Sequence, residues 1–111
     1  MTILHLALAR DWEAARETGE YRVSTLGLTL DDVGFIHACT GPEQLRGVVE
    51  RFYRDVTDPL VVLSIDPSGL DVRMEVPPDA QETFPHLYEA LPVTAVTSAL
   101  PFPPPAPGTR P

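Results

Sequence analysis

The chain has 111 residues, of which 43% are apolar and 22% charged, a composition typical of one globular domain. Its 16 acidic and 8 basic side chains give a net charge of −8, which disfavours binding to nucleic acid or to an anionic membrane surface. Since it has 1 cysteine, no apolar run of the roughly 20 residues that a membrane span needs and no signal-peptide layout, we expect a cytoplasmic protein without an intramolecular disulfide.

The first predicted element is a strand over residues 2–8, with His5 at its middle. This run is apolar on both faces, which favours a place inside a sheet rather than at its edge. Asp11 is placed to cap a short helix that Gly19 ends, because glycine adopts the left-handed conformation without steric cost. The apolar segment 33–39 predicts a second, short strand.

The clearest helix covers residues 45–56, where apolar side chains recur at three- and four-residue steps. Thr40 and Glu43 have the spacing of a capping box at its start, and Pro42 suits the first turn. The continuous apolar run 60–65 predicts a buried strand after this helix.

Two strands and a tail are predicted in the last third of the chain. Residues 71–76 alternate in polarity, so we expect an apolar face directed inward and Arg73 and Glu75 on a solvated or ligand-facing side. A last strand is predicted over 93–100. The proline-rich segment 101–111 should not join a sheet, so we expect one domain over residues 1–100 followed by a flexible tail.

His37 and Cys39 are the first candidates for chemistry. They lie two residues apart on a predicted strand, so both side chains leave the same face. Such a pair could belong to a metal site, or Cys39 could be a nucleophile activated by a histidine. A zinc site needs three or four ligands and no second close pair is present, so no metal is predicted. The alternative is a buried cysteine and a histidine bonded to the main chain.

Residues 84–92, with the sequence FPHLYEALP, form the second candidate segment. Its prolines predict a stiff, non-regular backbone that fixes the directions of Phe84, His86 and Tyr88. Either these rings line a pocket, or the two aromatic rings fill the core while the histidine caps a carbonyl. Arg51 borders the apolar stripe of the main helix and could bind a phosphate, with ordinary surface pairing as the alternative.

Several motifs together resemble one known family. They are ILHL, GEY, GFIHACT, EQL, VVERFY, LVVLSID, FPHLY and LPVTAV, and over residues 2–98 they are similar to the DUF952 family of small bacterial and plant proteins. The resemblance implies an α+β fold like that of the ADP-ribosyltransferases, in which a split sheet forms a cleft that binds NAD. Cys39 stands where the family often has serine, and Glu89 stands where glycine often follows HLY.

The resemblance also assigns family positions to individual residues. By motif these are His5, residues 34–37, Gln44, Arg51, Phe52, Glu75 and residues 84–88. It implies a cleft in which Glu75 hydrogen-bonds a ribose and stabilises the charge of an oxocarbenium-like transition state, while histidines orient the ligand. The acidic motif of known ADP-ribosyltransferases has no clear counterpart in the chain.

The combined expectation is an α+β domain with a split, mixed or antiparallel sheet and two main helices. We predict catalytic roles for His37, Glu75 and His86. The predicted ligand-binding residues are His5, Cys39, Gln44, Arg51, Phe84 and Tyr88. The predicted function is binding of a small polar ligand, with transfer or hydrolysis at NAD or a related nucleotide. The alternatives are a non-catalytic metabolite-binding or protein-interaction module and a purely structural role of the motifs; the oligomeric state stays open.

Overall fold

Helices and short antiparallel strands alternate along the residues that the computed structural model describes, 1–78 and 80–103. The helices are α1 (Ala9–Thr18), α2 (Leu30–Val33) and α3 (Pro42–Phe52). The strands are β1 (Ile3–Leu8), β2 (Glu20–Tyr21), β3 (Val23–Thr25), β4 (Leu28–Thr29), β5 (Ile36–His37), β6 (Leu60–Ile65), β7 (Val72–Glu75), β8 (Phe84–Leu87), β9 (Leu91–Pro92) and β10 (Val96–Phe102), with a 3₁₀ turn at Val93–Ala95.

Two three-stranded sheets carry most of the architecture. One has the order β1-β6-β10 and the other the order β5-β8-β7, and two-stranded pairs join β2 to β9 and β3 to β4. The paired strands run antiparallel. The α+β class and the antiparallel sheet predicted from the sequence are therefore confirmed.

The first strand is confirmed, but its expected place inside the sheet is wrong. In the first sheet β6 is central and β1 lies at the edge. The free side of β1 is covered by a single bridge, in which the main chains of Leu4 and Cys39 exchange hydrogen bonds of 2.8 and 2.7 Å. Ala38 in turn donates its N–H to the carbonyl of Pro85 in β8, at 3.1 Å. Residues 38–39 thus connect the two larger sheets. Both faces of β1 are apolar because Ile3 and Ala7 pack into one buried group of side chains and Leu6 and Leu8 into another.

The helix starts differ from those that the sequence predicts. Strand β1 passes directly into α1, so the N-cap is Leu8, and Asp11 lies in the first turn without capping it. The left-handed Gly19, with φ of 93°, ends α1 as predicted. Helix α3 has Gly41 as its N-cap and lacks a side-chain cap, so the predicted capping box is absent. Pro42 does occupy the first turn of α3.

The segment predicted to be non-regular is a strand at the centre of a sheet. All four residues of β8 are buried, and β8 pairs with β5 on one side and with β7 on the other. Pro85 fits there because its carbonyl still accepts a bond, while only its missing N–H is lost from the ladder. The predicted non-regular backbone is wrong because a proline can occupy a strand position at which its carbonyl accepts a bond and no N–H is required.

The tail boundary and one strand face also need correction. Pro101 and Phe102 pair with β6 as the end of β10, so the ladder extends beyond residue 100; residues 104–111 of the predicted tail lie outside the described residues. In β7 the apolar Met74 is 49% exposed, contrary to the expected inward face. The side chains of Arg73 and Glu75 share the other face, as predicted, and pack against β8 and the residue that follows it.

The interior consists of two groups of buried side chains. One lies between α1 and the two larger sheets and includes Trp12, Tyr21 and Ile36. The other lies beneath α3 and includes Leu45 and Phe84. Of the helices in residues 1–78 and 80–103, none has the length and apolar character needed to cross a bilayer.

Candidate functional site

A cleft of about 520 Å³ lies between α3 and the face of the β5-β8-β7 sheet, with β3, β4 and residues 75–78 at its sides. Its volume is in the range of known small-molecule sites, about 300–1,000 Å³. Six of the residues proposed from the sequence line it: His37, Gln44, Arg51, Glu75, Phe84 and His86. His5, Cys39 and Tyr88 are not part of the lining.

Glu75 and His86 form a hydrogen-bonded pair beside the cleft. Nδ1 of His86 donates to Oε1 of Glu75 at 2.8 Å, since a carboxylate oxygen only accepts. The hydroxyl of Tyr88 donates to the same oxygen at 2.5 Å. These two bonds arise because the residues alternate on neighbouring strands, so that positions 75, 86 and 88 face the same side of the sheet.

The charge of Glu75 is stabilised by these donors. The Tyr88 hydroxyl, and after it the His86 imidazole, lower the pKa of the Glu75 carboxyl below its ordinary value. The same hydrogen bond raises the pKa of Tyr88, because its hydroxyl proton is held by a carboxylate. Glu75 is therefore an ionised acceptor at neutral pH, and its side chain is 39% exposed.

The other nitrogen of His86 is the most unusual atom of the site. His86 is 3% exposed, and its Nε2 has no hydrogen-bond partner among the described residues. Leaving a buried polar group unpaired costs about 1–3 kcal/mol, so such atoms are rare and concentrate at functional sites. The ring of Phe35 stacks on the imidazole with 3.9 Å between centroids.

His37 lies next to His86 in the lining of the cleft. The centroids of the two imidazoles are 5.6 Å apart, and that of the Phe84 ring is 5.1 Å from His37. The main-chain N–H of His37 donates to Oγ of Ser24 at 3.2 Å, which fixes β5 against β3. Two of the three histidines of the chain therefore converge on one cleft.

His5, in contrast, lies in the interior. It is 2% exposed, and its Nδ1 donates to the main-chain oxygen of His37 at 2.5 Å. Burial lowers the pKa of His5 to about 4, so the ring is neutral and its Nε2 accepts a hydrogen bond from the Tyr21 hydroxyl at 2.9 Å. Both ring nitrogens are used inside the protein. The structure thus assigns His5 a supporting place behind His37, not the ligand contact expected from the sequence.

Cys39 does not line the cleft either. Its side chain is 2% exposed, and burial raises the pKa of its thiol to about 12. A thiol in that state is not a nucleophile at neutral pH. The described residues contain no group of three or more His, Cys, Asp or Glu side chains suited to a metal ion.

The helical wall of the cleft carries Gln44 and Arg51. The Gln44 amide links α3 to the start of β8: its oxygen accepts from the Thr40 N–H and its nitrogen donates to the Thr83 carbonyl, each at 2.9 Å. The Arg51 guanidinium lies 5.5 Å from the centroid of the Phe52 ring. Both side chains remain within reach of a ligand in the cleft.

Sequence reasoning missed several lining residues. Phe35, which stacks on His86, was not proposed as a site residue, although the strand predicted over residues 33–39 places Phe35 and His37 on one face. Glu43, Gly47 and Glu82 also line the cleft. They carried no local signal, because their positions depend on how α3 and the β7–β8 connection pack together.

Comparisons with known proteins identify a family and a structural relative. Residues 6–99 match the family model described as "Protein of unknown function (DUF952)". The chain is similar to the crystal structure of protein CC0527 from Caulobacter crescentus, with 29% sequence identity and a TM-score of 0.76 over 91% of this chain and 85% of that one. The solution NMR structure of CC0527 gives a TM-score of 0.70 over 88% and 81%. The comparison with curated proteins found no match.

Proposed function

Because the chain belongs to the DUF952 family, whose function is unknown, we propose a function from its own cleft: it binds a small polar ligand there and acts on it through Glu75 and His86. The ligand class is NAD or a related nucleotide, and the reaction is transfer or hydrolysis at the ribose bond to nicotinamide. The setting is the cytoplasm, which suits a chain whose single cysteine is a buried free thiol.

The observation that carries this proposal is the unpaired Nε2 of His86, considered within residues 1–78 and 80–103. Since Nδ1 is held by Glu75, the neutral imidazole keeps its lone pair at Nε2, as a histidine base paired with a carboxylate does. A ligand that donates a proton or a hydrogen bond there removes the cost of the unpaired atom. A structural histidine of this burial would instead be bonded at both nitrogens, as His5 is.

Glu75 supplies the second chemical group. Both of its donors bond to Oε1, and no bond to Oε2 is found within the described part of the chain. This second oxygen is available to a ribose hydroxyl, and its negative charge would stabilise positive charge at the anomeric carbon. In hydrolysis the bond from that carbon to nicotinamide breaks with its electron pair leaving on nicotinamide. A water oxygen bonds to the carbon, and His86 takes the water proton at Nε2, which requires this buried atom to open to the cleft when the ligand binds.

An ADP-ribosyltransferase-like fold is part of the same proposal. It is supported by the separation of the strands into two three-stranded sheets and by a cleft of nucleotide size. Arg51 provides a guanidinium in the lining, the group best suited to a diphosphate. His37, beside His86, would orient the ligand.

The experiment is the measurement of nicotinamide released from NAD by the purified full chain, by mass spectrometry against a protein-free blank. We expect release by the native chain and by Glu50→Gln, which removes an exposed carboxylate of α3 outside the cleft lining. We expect loss of release in Glu75→Gln. Release equal to the blank with the native chain would overturn the enzymatic proposal for this substrate.

The second candidate function is a non-catalytic module that binds a metabolite or a protein. The observation that favours it is the apolar rim of the cleft, where Leu28, Phe52 and Val76 are about half exposed. Such exposed apolar groups often mark binding surfaces. A rise of the melting temperature with NAD, without nicotinamide release and unchanged in Glu75→Gln, would support this candidate over the enzyme.

A further inference from the structure

Tyr88 was expected to contact a ligand, but the structure places it behind Glu75. It is not part of the cleft lining, and its hydroxyl donates to Oε1 of Glu75 at 2.5 Å. The same oxygen accepts the bond from Nδ1 of His86. Tyr88 therefore reaches the cleft only through the carboxylate that orients the histidine.

A second set of contacts holds Tyr88 in this position. The guanidinium carbon of Arg73 lies 4.2 Å from the centroid of the Tyr88 ring, a cation–π distance. Arg73 is itself fixed by two bonds to the Asp71 carboxylate, at 3.1 and 3.0 Å. The main-chain N–H of Tyr88 donates to the Asp71 carbonyl at 2.8 Å. The ring of Tyr88 is thus anchored to Arg73 on β7, and its backbone to Asp71, which immediately precedes β7.

We propose that Tyr88, clamped by Arg73, is a positioning residue that fixes the Glu75 carboxylate and thereby the tautomer of His86. The argument is geometric. A carboxylate with one donor can rotate and exchange its two oxygens, and Glu75 is exposed enough to turn toward solvent. A second donor on Oε1 holds that oxygen facing Nδ1 of His86, so the proton stays on Nδ1 and Nε2 remains bare.

This role rests on the proposed function, in which a bare Nε2 is the reactive atom, but it can be measured without any ligand. In the uniformly ¹⁵N-labelled full chain at mildly alkaline pH, the two ring nitrogens of His86 should show one protonated and one unprotonated resonance. In Tyr88→Phe both resonances should move toward their mean, because the proton is then shared between the nitrogens. Glu75→Ala, which removes the acceptor itself, should move them further.

The matched control is Tyr53→Phe, which removes a tyrosine hydroxyl from the buried group beneath α3 and should leave the His86 resonances unchanged. Arg73→Lys keeps the charge but loses the fork to Asp71, and it should cause a smaller shift in the same direction as Tyr88→Phe. With NAD as the probe, Tyr88→Phe should lower kcat about tenfold and leave KM nearly unchanged, since the ring does not line the cleft.

The two proposals fail in different ways. His86 resonances in Tyr88→Phe identical to those of the native chain would overturn the positioning role, whatever the activity. Absence of nicotinamide release by the native chain would overturn the proposed function, and the resonance comparison would still decide the role of Tyr88. A melting temperature for each variant near that of the native chain establishes that the comparison is made between folded proteins.

Discussion

Nδ1 of His5 donates to the main-chain oxygen of His37 across 2.5 Å, which ties the middle of the first strand to the histidine that lines the cleft. The other nitrogen of His5 bonds the Tyr21 hydroxyl. A buried neutral histidine bonded at both nitrogens has no room for a second ring proton. The stability of the fold should therefore respond to the protonation of His5.

We expect the free energy of unfolding to decrease as the pH is lowered, because of His5. Its pKa in the folded protein is about 4, below the ordinary 6.5 of the unfolded chain, so below 6.5 only the unfolded state takes up the proton. The contribution is fully present above pH 6.5 and is lost as pH falls toward 4, to a total of about 3 kcal/mol. Urea unfolding at closely spaced pH values measures this loss.

The control for this prediction is His5→Asn, whose amide does not titrate. The variant is expected to be less stable than the native chain at neutral pH, because it replaces a larger buried side chain that is hydrogen-bonded at both ring nitrogens. Its stability should fall less steeply between pH 6.5 and 4, since the carboxylates and the other two histidines are unchanged. Parallel curves for the two proteins would show that His5 is not the group responsible.

Cys39 should be unreactive in the folded protein. Burial, and then the charge of Glu82, raise the pKa of the thiol to about 12, and the side chain is closed to solvent. A thiol reagent such as 5,5′-dithiobis(2-nitrobenzoate) should label it only at the rate of unfolding, and at once in concentrated urea. Because it is the single cysteine of the chain, absorbance reports this site alone. Rapid labelling under native conditions would contradict its burial.

Gln44→Glu should destabilise the junction between α3 and β8. The change replaces an N–H donor to the Thr83 carbonyl by a carboxylate beside Glu82. A negative charge in the first helical turn is favourable by about 0.3–1 kcal/mol and offsets part of the cost of the lost hydrogen bond and the added repulsion. We therefore expect the free energy of unfolding to decrease by about 1 kcal/mol. Gln81→Glu, which adds the same charge at an exposed position, should change stability by less than about 0.5 kcal/mol. Lowering the pH should reduce the difference in stability between Gln44→Glu and the native chain, because a protonated glutamate at this position can again donate a hydrogen bond.

Much of the fold could be predicted because local patterns agree with it. The strand over residues 60–65 was predicted with its observed bounds, and Gly19 was identified as the end of α1. The start of α1 could not be predicted, because a main-chain contact with a distant segment takes the place of a side-chain cap: Ala9 donates its N–H to the carbonyl of Pro59. At α3 the N–H of Thr40 bonds to the Gln44 side chain and not to that of Glu43, so the capping-box spacing was misleading.

The site was predicted in part for a similar reason. Alternation along a predicted strand identified His37 as a candidate, and the motif resemblance identified Glu75 and His86. The fold brings all three to one cleft. The sequence did not indicate that His5 and Tyr88 stand behind the lining, since both belong to the same motifs as the lining residues. Only the pairing of strands decides which face of each motif reaches the cleft.

Two glycine substitutions should change stability in opposite directions. Gly47 lies inside α3 and Gly34, with φ of 97°, ends α2, and an added Cβ would meet open space at both. Gly47→Ala should stabilise the protein by about 0.5–1 kcal/mol, because alanine loses less backbone conformational entropy than glycine when the helix forms. Gly34→Ala should destabilise it by about 1 kcal/mol, because a residue with a Cβ is strained in the left-handed conformation. Because Gly47 lines the cleft, its added methyl should also weaken NAD binding while the melting temperature rises. A gain of stability in Gly34→Ala would contradict the left-handed backbone at Gly34, and a loss in Gly47→Ala would contradict the open space beside Gly47.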